Sequence, residues 1–160
     1  MAMNNMMKEI LEWSDIKAST YTIAKELIEQ GLYKNAVVLA PHYGGWPVAT
    51  TTVNYIRKAI NDDSFKPPAI TESDLTRHFL IPLLSHKHIL IFDDVLDTGK
   101  VINGIIWRIL HECETFLPKE EILKKIIICT IGKKRDADYN CRHIYTTVWP
   151  KDLWVQFAWE

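Results

Sequence analysis

The sequence lacks the features that mark several classes of protein. Its 19 basic and 20 acidic residues give a net charge of −1, so it has no basic field of the kind that binds nucleic acid non-specifically. No apolar stretch is long enough for a signal peptide or a bilayer span, which predicts a cytoplasmic protein with neither nucleic-acid nor membrane partners. Cysteine is scarce, and the odd set Cys113, Cys129 and Cys141 has no CxxC spacing, which predicts reduced thiols.

What the chain does contain is enough apolar material for one core. Its 160 residues are 48% hydrophobic, which predicts a single domain over 1–160. Short apolar runs predict strands, namely Glu9–Trp13, Ala36–Ala40, His88–Phe92, Lys125–Ile131 and His143–Trp149. Helical periodicity fills the gaps between most of these runs. Alternation of strands and helices predicts an α/β fold with a mostly parallel central sheet flanked by helices.

Helix boundaries are signalled most clearly near the start of the chain. Ser14 is predicted to be the N-cap of the first helix, and Gly31 its C′ residue. Further helices are predicted around Val48–Ile60 and Val101–Ile109. Between Asp62 and Lys87 the periodicity disappears, and prolines interrupt the pattern.

The stretch "IFDDVLDTGK" places three carboxylates, Asp93, Asp94 and Asp97, within five residues at the end of a predicted strand. In an open parallel sheet, ligands bind beyond the carboxyl ends of the strands. Thr98-Gly99-Lys100 would open the next helix, whose backbone N–H groups suit a phosphate. The carboxylates suit hydroxyl groups or a magnesium ion carried by the substrate's own phosphates. A phosphate site beside these carboxylates therefore predicts a binding site for a sugar phosphate. The alternative is a solvated acidic loop with a helix cap at Asp97 or Thr98.

Three segments resemble one family. "ILIFDDVLDTGKV" looks like the phosphoribosyl-pyrophosphate signature of the type I phosphoribosyltransferases. "LEWSDIKASTYTIAKELIEQ" followed by "AVVLAPHYGG" is similar to the start of the xanthine-guanine and hypoxanthine-guanine enzymes, and "DLWVQFAWE" to their purine-covering ending. The resemblance covers most of the chain. It implies a cytoplasmic homodimer or homotetramer that transfers a phosphoribosyl group to a purine, with Mg²⁺ as cofactor.

The resemblance also implies roles at the sugar end of the site. Asp93 and Asp94 would hold the ribose hydroxyls, and their carboxylates could also coordinate magnesium. The segment Asp97, Thr98, Gly99 and Lys100 would surround the 5′-phosphate, with Asp97 also acting as general acid/base at N7 of the purine. The loop Tyr43, Gly44 and Gly45 would grip pyrophosphate.

At the purine end, the resemblance implies that Trp154 stacks on the base and that the backbone of Val155 reads its edge. Lys133 or Lys134 would donate to the purine 6-oxygen, which selects oxopurines over adenine. Glu160 would act on magnesium through a water molecule. The alternatives are that Trp154 and Trp159 are ordinary core aromatics, and that Lys133, Lys134 and Arg135 form a solvated turn. The six histidines have no metal-ligand spacing, which favours structural roles.

Two positions differ from the family's pattern. Tyr43 stands where a cation usually precedes the glycine pair, a role that Arg57, Lys58 or Arg77 could take over. Val101 stands where a threonine or serine usually donates to the 5′-phosphate. These differences favour an alternative function, a non-catalytic or regulatory protein of the same fold that binds phosphoribosyl pyrophosphate or a purine nucleotide.

Two segments are expected to cover the site. The C-terminal segment, about 150–160, would form a small hood over the base. Residues 62–76 would form a mobile lid, because an oxocarbenium-like sugar must be kept from water. Within this region Thr71–Asp74 could cap a short helix, and the apolar "FLIPLL" (Phe79–Leu84) should dock on the body or on a second subunit.

Overall fold

The computed structural model describes residues 7–41, 43–70, 74–137 and 139–160. The helices are α1 (Trp13–Glu29), α2 (Gly45–Ile60), α3 (Arg77–Leu83), α4 (Lys100–Cys113) and α5 (Lys119–Lys125). The strands are β1 (Lys8–Leu11), β2 (Ala36–Leu39), β3 (Ala69–Ile70), β4 (His88–Leu96), β5 (Ile126–Lys134), β6 (Arg142–Trp149) and β7 (Trp154–Phe157). No helix in the described part of the chain is long and apolar enough to cross a membrane.

Five strands form a parallel sheet in the order β3-β2-β4-β5-β6. Alternate side chains of the central strands enter two apolar cores, one on each face. The core under α1 and α2 contains Val38, Leu90 and Ile127, whereas the core under α3, α4 and α5 contains Leu39 and Ile91. The predicted α/β fold with a parallel sheet flanked by helices is therefore confirmed.

A second, two-stranded sheet joins the two ends of the chain. Strand β1 pairs in parallel with β7, with Lys8 opposite Trp154 and Leu11 opposite Phe157. Leu11, Val155 and Phe157 are buried in the core beneath α1 and α2. This small sheet therefore fixes the C-terminal segment against the body of the domain.

The limits of α1 show one wrong prediction and one correct one. The helix begins at Trp13 and its N-cap is Glu12, one residue inside the predicted strand and two before Ser14. The Glu12 backbone N–H donates to Asp15 Oδ2 at 3.0 Å, which satisfies a free donor at this end. At the other end Gly31 has φ +65°, and its N–H and that of Leu32 donate back into the last turn, as in a Schellman motif.

The region that lacked periodicity contains one strand that was not predicted and a short helix that begins later than the predicted cap. Strand β3 extends the main sheet by pairing with β2, and α3 includes Pro82 near its C-terminal end. Leu80 and Leu83 are buried and α3 packs on α4, so the expected docking of the apolar segment on the body is confirmed. Of the predicted cap Thr71–Asp74, residues 71–73 lie outside the described residues, and the N-cap of α3 is Thr76.

Candidate active site

Strand β4 carries the first two carboxylates of the site. It continues four residues beyond the predicted end, Phe92, because Asp93, Val95 and Leu96 remain in register with β5. Successive side chains of a strand point to opposite faces, so Asp93 and Asp94 project in different directions. The Asp94 N–H donates to Asp93 Oδ1 at 3.0 Å, and the Val95 N–H donates to Asp94 Oδ1 at 2.6 Å.

Asp94 lies in a restricted and electrically negative position. The pKa of its carboxyl group is raised from 3.8 to about 6. Burial is the largest cause, and the nearby charge of Glu160 also contributes. Gly44 packs directly on this carboxyl group, since a Cβ at residue 44 would lie 2.3 Å from Asp94 Oδ2. Ionised Asp94 therefore lacks full solvation in the ligand-free protein, and a bound cation or hydroxyl pair would relieve that cost.

The glycine pair brings the start of α2 against the end of β4. A Cβ at Gly45 would lie 2.3 Å from the Phe92 carbonyl oxygen, so the helix can approach this closely only with glycine there. Tyr43, which precedes the pair, has φ +51° and an 86% exposed side chain. A tyrosine in the left-handed region is uncommon and strained. The loop thus has an unusual backbone at the position where pyrophosphate binding was predicted.

The segment from Asp97 to Lys100 leads from β4 into α4. Gly99 is the N-cap of α4 and has φ +71°, a conformation that favours glycine. The Lys100 N–H makes a long bond of 3.4 Å to Thr98 Oγ1, and the Gly99 carbonyl accepts the Tyr139 hydroxyl at 2.9 Å. Val101 follows in the first turn with its side chain 48% exposed. The arrangement offers backbone donors to an anion at the start of a fourteen-residue helix.

Three adjoining clefts, here called the trough, bring most of the predicted residues together. Their volumes are about 540, 350 and 280 Å³, and each is lined by Asp97. The two larger clefts are named here after the groups that the sequence analysis predicts for them. The largest, the purine cleft, is lined by Asp94, Val95, Asp97, Lys134, Lys151, Asp152, Leu153, Trp154, Val155, Phe157 and Glu160. The second, here the phosphate cleft, is lined by Asp97, Thr98, Gly99, Asn103, Lys134, Asp136, Ala137, Tyr139 and Lys151. The third runs along Asp93–Ile102 and reaches Gly44.

Strand alternation places the two lysines at the end of β5, Lys133 and Lys134, on opposite faces of the sheet. Lys134 lines both the purine and the phosphate clefts, and its ammonium group donates to the Leu153 carbonyl. Lys133 points to the other face, where it lies 5.0 Å from the centre of the Tyr145 ring and donates to the Ala137 carbonyl at 3.2 Å. Both side chains are buried within β5, so the alternative of a solvated turn is wrong for these two residues.

The C-terminal segment supplies the opposite wall. Trp154 is 55% exposed and lines the purine cleft, so it is not an ordinary core aromatic. Trp159, in contrast, packs on Phe157 with ring centres 4.9 Å apart and on Trp13 at 5.7 Å, as a core residue would. Glu160 Oε2 accepts the Phe157 N–H at 3.1 Å, which holds its carboxyl group at the cleft.

Some residues of the trough were not predicted. Lys151, Asn103 and Tyr139 line it, and Lys151 contributes to both the purine and the phosphate clefts. The only sequence signal for Lys151 was its position one residue before the recognisable C-terminal segment. Two of the three cations considered as substitutes at the glycine loop have other contacts: Arg57 donates to the Asp63 carbonyl at 2.9 Å, and Arg77 lies 5.5 Å from the centre of the Phe116 ring. Neither lines the trough.

The described residues contain no group of three or more His, Cys, Asp or Glu side chains that could enclose a metal ion by themselves. Asp94 and Glu160 nevertheless line one cleft and interact electrostatically. Carboxylate oxygens are suitable ligands for Mg²⁺, which usually keeps several waters and binds through one or two carboxylates plus substrate phosphates. The trough therefore fits a magnesium ion brought by a phosphorylated ligand better than a permanently bound one.

Comparison with known proteins agrees with this geometry. A family model described as "Phosphoribosyl transferase domain" matches residues 6–160. No curated protein matches the chain. Among solved structures, a purine phosphoribosyltransferase from Pyrococcus horikoshii has a TM-score of 0.65 at 21% identity, over 97% of this chain and 95% of that one.

Two further structures share the fold at lower identity. A hypothetical protein from Neisseria gonorrhoeae with bound ppGpp has a TM-score of 0.68 at 15% identity, over 97% of this chain and 90% of that one. The xanthine-guanine-hypoxanthine phosphoribosyltransferase of Helicobacter pylori has a TM-score of 0.60 at 15% identity, over 96% and 93%. The family match over nearly the whole chain, the shared fold and the trough at the carboxyl ends of the strands lead to one conclusion: this chain belongs to the phosphoribosyltransferase family, with the type I fold.

Proposed function

We propose that the protein transfers the phosphoribosyl group of phosphoribosyl pyrophosphate to a 6-oxopurine, which forms a nucleoside 5′-monophosphate and pyrophosphate. One observation supports this most strongly. A single trough contains a carboxylate pair, a helix N-terminus, a buried lysine and an exposed tryptophan, which are groups suited to a sugar phosphate joined to a purine. A site for a sugar phosphate alone would have no use for the purine cleft with Trp154 and Lys134.

The sugar phosphate would occupy the end of the trough nearest α4. The 5′-phosphate would lie against the backbone N–H groups at the start of that helix, with Lys151 beside it across the phosphate cleft. Asp93 and Asp94 would accept hydrogen bonds from the ribose hydroxyls. Gly44, which packs on Asp94, would direct its backbone toward the pyrophosphate group.

The purine would occupy the end formed by β5 and β7. Trp154 would stack on the base, an interaction worth about 1–3 kcal/mol per base in nucleic-acid proteins. Lys134 faces the trough, whereas Lys133 points to the other face, so Lys134 would donate to the 6-oxygen. The Trp154 N–H donates to Met7 of the neighbouring segment, so by alternation the N–H and carbonyl of Val155 face away from β1 and are placed to read the edge of the base.

The reaction would break the bond from the ribose C1′ to pyrophosphate while N9 of the purine forms a new bond to C1′ and the base loses a proton. Asp97 lines all three clefts and would handle the proton at N7. Asp93, Asp94 and, through water, Glu160 would hold Mg²⁺. When bound, Mg²⁺ would neutralise charge on the pyrophosphate group. The protein would contribute mainly orientation and exclusion of water.

The direct test is nucleotide formation, followed by chromatography, from phosphoribosyl pyrophosphate and Mg²⁺ with guanine, hypoxanthine, xanthine or adenine. Product should form with at least one oxopurine and not with adenine. Lys134→Met should reduce turnover with the oxopurine, whereas Lys133→Met, on the other face of the same strand, should reduce it less. Turnover of adenine alone would contradict the oxopurine assignment.

A second candidate is a regulatory protein that binds phosphoribosyl pyrophosphate or a purine nucleotide without catalysis. Two features of the site favour it: the residue before the glycine pair is Tyr43 and not the expected cation, and Val101 offers no hydroxyl. The Neisseria gonorrhoeae protein of the same fold was determined with ppGpp bound, which provides a ligand to test. Tight binding of ppGpp or GMP, with no product from any purine, would favour this candidate.

A further inference from the structure

Tyr139 makes a contact that connects two distant segments of the chain. Its hydroxyl donates to the Gly99 carbonyl at 2.9 Å, across forty positions of sequence. The same phenol lies so close to Gly99 that a Cβ there would be 2.9 Å from Tyr139 Cζ and closer still to the hydroxyl oxygen. Both residues line the phosphate cleft. The tyrosine is thus packed against the N-cap of α4, at the position proposed for the 5′-phosphate.

The Gly99 carbonyl has a second partner, the Asn103 N–H, at 2.7 Å. In a trans peptide the carbonyl oxygen and the following N–H point in opposite directions. Because Tyr139 and Asn103 hold the Gly99 oxygen, they also fix the direction of the Lys100 N–H. That N–H makes only a 3.4 Å contact with Thr98 Oγ1, so it is available to a stronger acceptor.

The segment that carries Tyr139 is itself held in place. Lys133 Nζ donates to the Ala137 carbonyl at 3.2 Å, and the Ala137 N–H donates to the Lys134 carbonyl at 3.0 Å. The Tyr139 ring also packs against the core beneath α4. Lys133, which does not reach the trough, therefore supports the segment from which Tyr139 contacts Gly99.

We propose that Tyr139 is a positioning residue for the phosphate site: its hydroxyl orients the Gly99–Lys100 peptide so that the Lys100 N–H is directed at the 5′-phosphate. This inference rests on the proposed function for the identity of the phosphate. It assigns to Tyr139 no contact with the reacting atoms. Removal of the hydroxyl should therefore weaken phosphate binding and leave base recognition unchanged.

The first part of the test needs no ligand. Tyr139→Phe keeps the ring and removes only the hydroxyl, and Tyr21→Phe on the exposed side of α1 is the matched control. Amide exchange measured by NMR should become about two- to tenfold faster at Asn103 in Tyr139→Phe, because one of two bonds to the Gly99 carbonyl is lost. It should remain unchanged in Tyr21→Phe. Unchanged exchange at Asn103 in Tyr139→Phe would overturn the proposal.

The second part measures binding by calorimetry with ribose 5-phosphate, phosphoribosyl pyrophosphate with Mg²⁺, and guanine. Tyr139→Phe should bind both phosphate ligands about two- to tenfold more weakly and guanine with unchanged affinity. Equal weakening for all three ligands indicates general disruption and overturns the positioning role. If the wild-type protein binds the phosphate ligands and the variant matches it, this inference alone fails. If the wild-type protein binds none of them, the proposed function fails together with it.

Discussion

Substitution of Asp94 should make the ligand-free protein more stable while it impairs binding. Asp94→Asn keeps the shape of the side chain, and its amide oxygen can still accept the Val95 N–H. In the folded protein, burial and then Glu160 raise the pKa of Asp94 from 3.8 to about 6. A pKa raised by this much corresponds to about 3 kcal/mol between the protonated and ionised forms.

The pH dependence follows from the direction of this change. Because the folded-state pKa lies above the unfolded value, the folded protein binds the extra proton between the two values. The stability contributed by protonated Asp94 is fully present at low pH and is lost as the pH rises through about 6. Between about pH 4.5 and about pH 8 the loss should be about 2 kcal/mol, a loss that the asparagine variant avoids.

The assay is urea unfolding of the wild-type protein and Asp94→Asn at both pH values, in buffer without magnesium or phosphate. The stability of the variant relative to wild type should increase by about 2 kcal/mol from the lower to the higher pH. Glu160→Gln should give a smaller change of the same sign, since it removes only the second cause of the raised pKa. A constant difference between Asp94→Asn and wild type at both pH values would show that Asp94 does not have a raised pKa in the folded protein.

Four further predictions concern the trough and its surroundings. Asp97→Asn should lower turnover strongly and leave phosphoribosyl-pyrophosphate affinity unchanged in calorimetry; unchanged turnover would remove Asp97 from the mechanism. Trp154→Ala should weaken purine binding by about 1–3 kcal/mol and Trp154→Phe by much less. If Trp154→Ala instead unfolds most of the protein while the remaining folded protein binds the base normally, Trp154 has a structural role only. Val101→Thr should tighten phosphoribosyl-pyrophosphate binding about tenfold by supplying a hydroxyl to the phosphate, and no gain would mean that the side chain does not reach it. Hydrogen exchange should slow around Asp62–Thr76 when phosphoribosyl pyrophosphate and Mg²⁺ bind, whereas slow, ligand-independent exchange would identify this region as fixed scaffold.

The fold was predictable from the sequence because its central strands are uninterrupted apolar runs. A strand buried on both faces reads as a continuous apolar segment, as Ala36–Leu39 and Ile126–Cys129 do. Elements with weak periodicity were missed or misplaced: β3 was not predicted, and α3 begins later than the cap predicted for a short helix. Strand β3 has only two residues and α3 contains a proline, so pairing with β2 and packing on α4 determine these elements, and neither is visible in local sequence.

Strands β4 and β5 were predicted to end too early, at residues of the candidate site. The acidic pair in β4 and the glycine and lysine residues in β5 interrupt the apolar pattern, which led to an early predicted end in both strands. In the structure, ladder pairing continues through them, with Asp93 opposite Thr130 and Leu96 opposite Lys133. Local sequence rules fail here because charged residues occupy strand positions at the candidate site.

The sequence could also not decide which of Lys133 and Lys134 faces the trough. That choice depends on whether β5 extends through both residues, because strand alternation then sends them to opposite faces. The contribution of Tyr139 was invisible for a related reason. Its hydrogen bond to Gly99 depends on the tertiary approach of two segments that no local pattern connects.

The most direct measurement of the central claim is ³¹P NMR of phosphoribosyl pyrophosphate, Mg²⁺ and guanine with the wild-type protein, and with Asp97→Asn as the matched control. The signals of the substrate should be replaced by those of pyrophosphate and a nucleoside monophosphate, in equal amounts, and this conversion should be strongly slowed in Asp97→Asn. A substrate that remains unconverted by folded wild-type protein with guanine, and likewise with hypoxanthine and xanthine, would contradict the claim that this trough catalyses phosphoribosyl transfer.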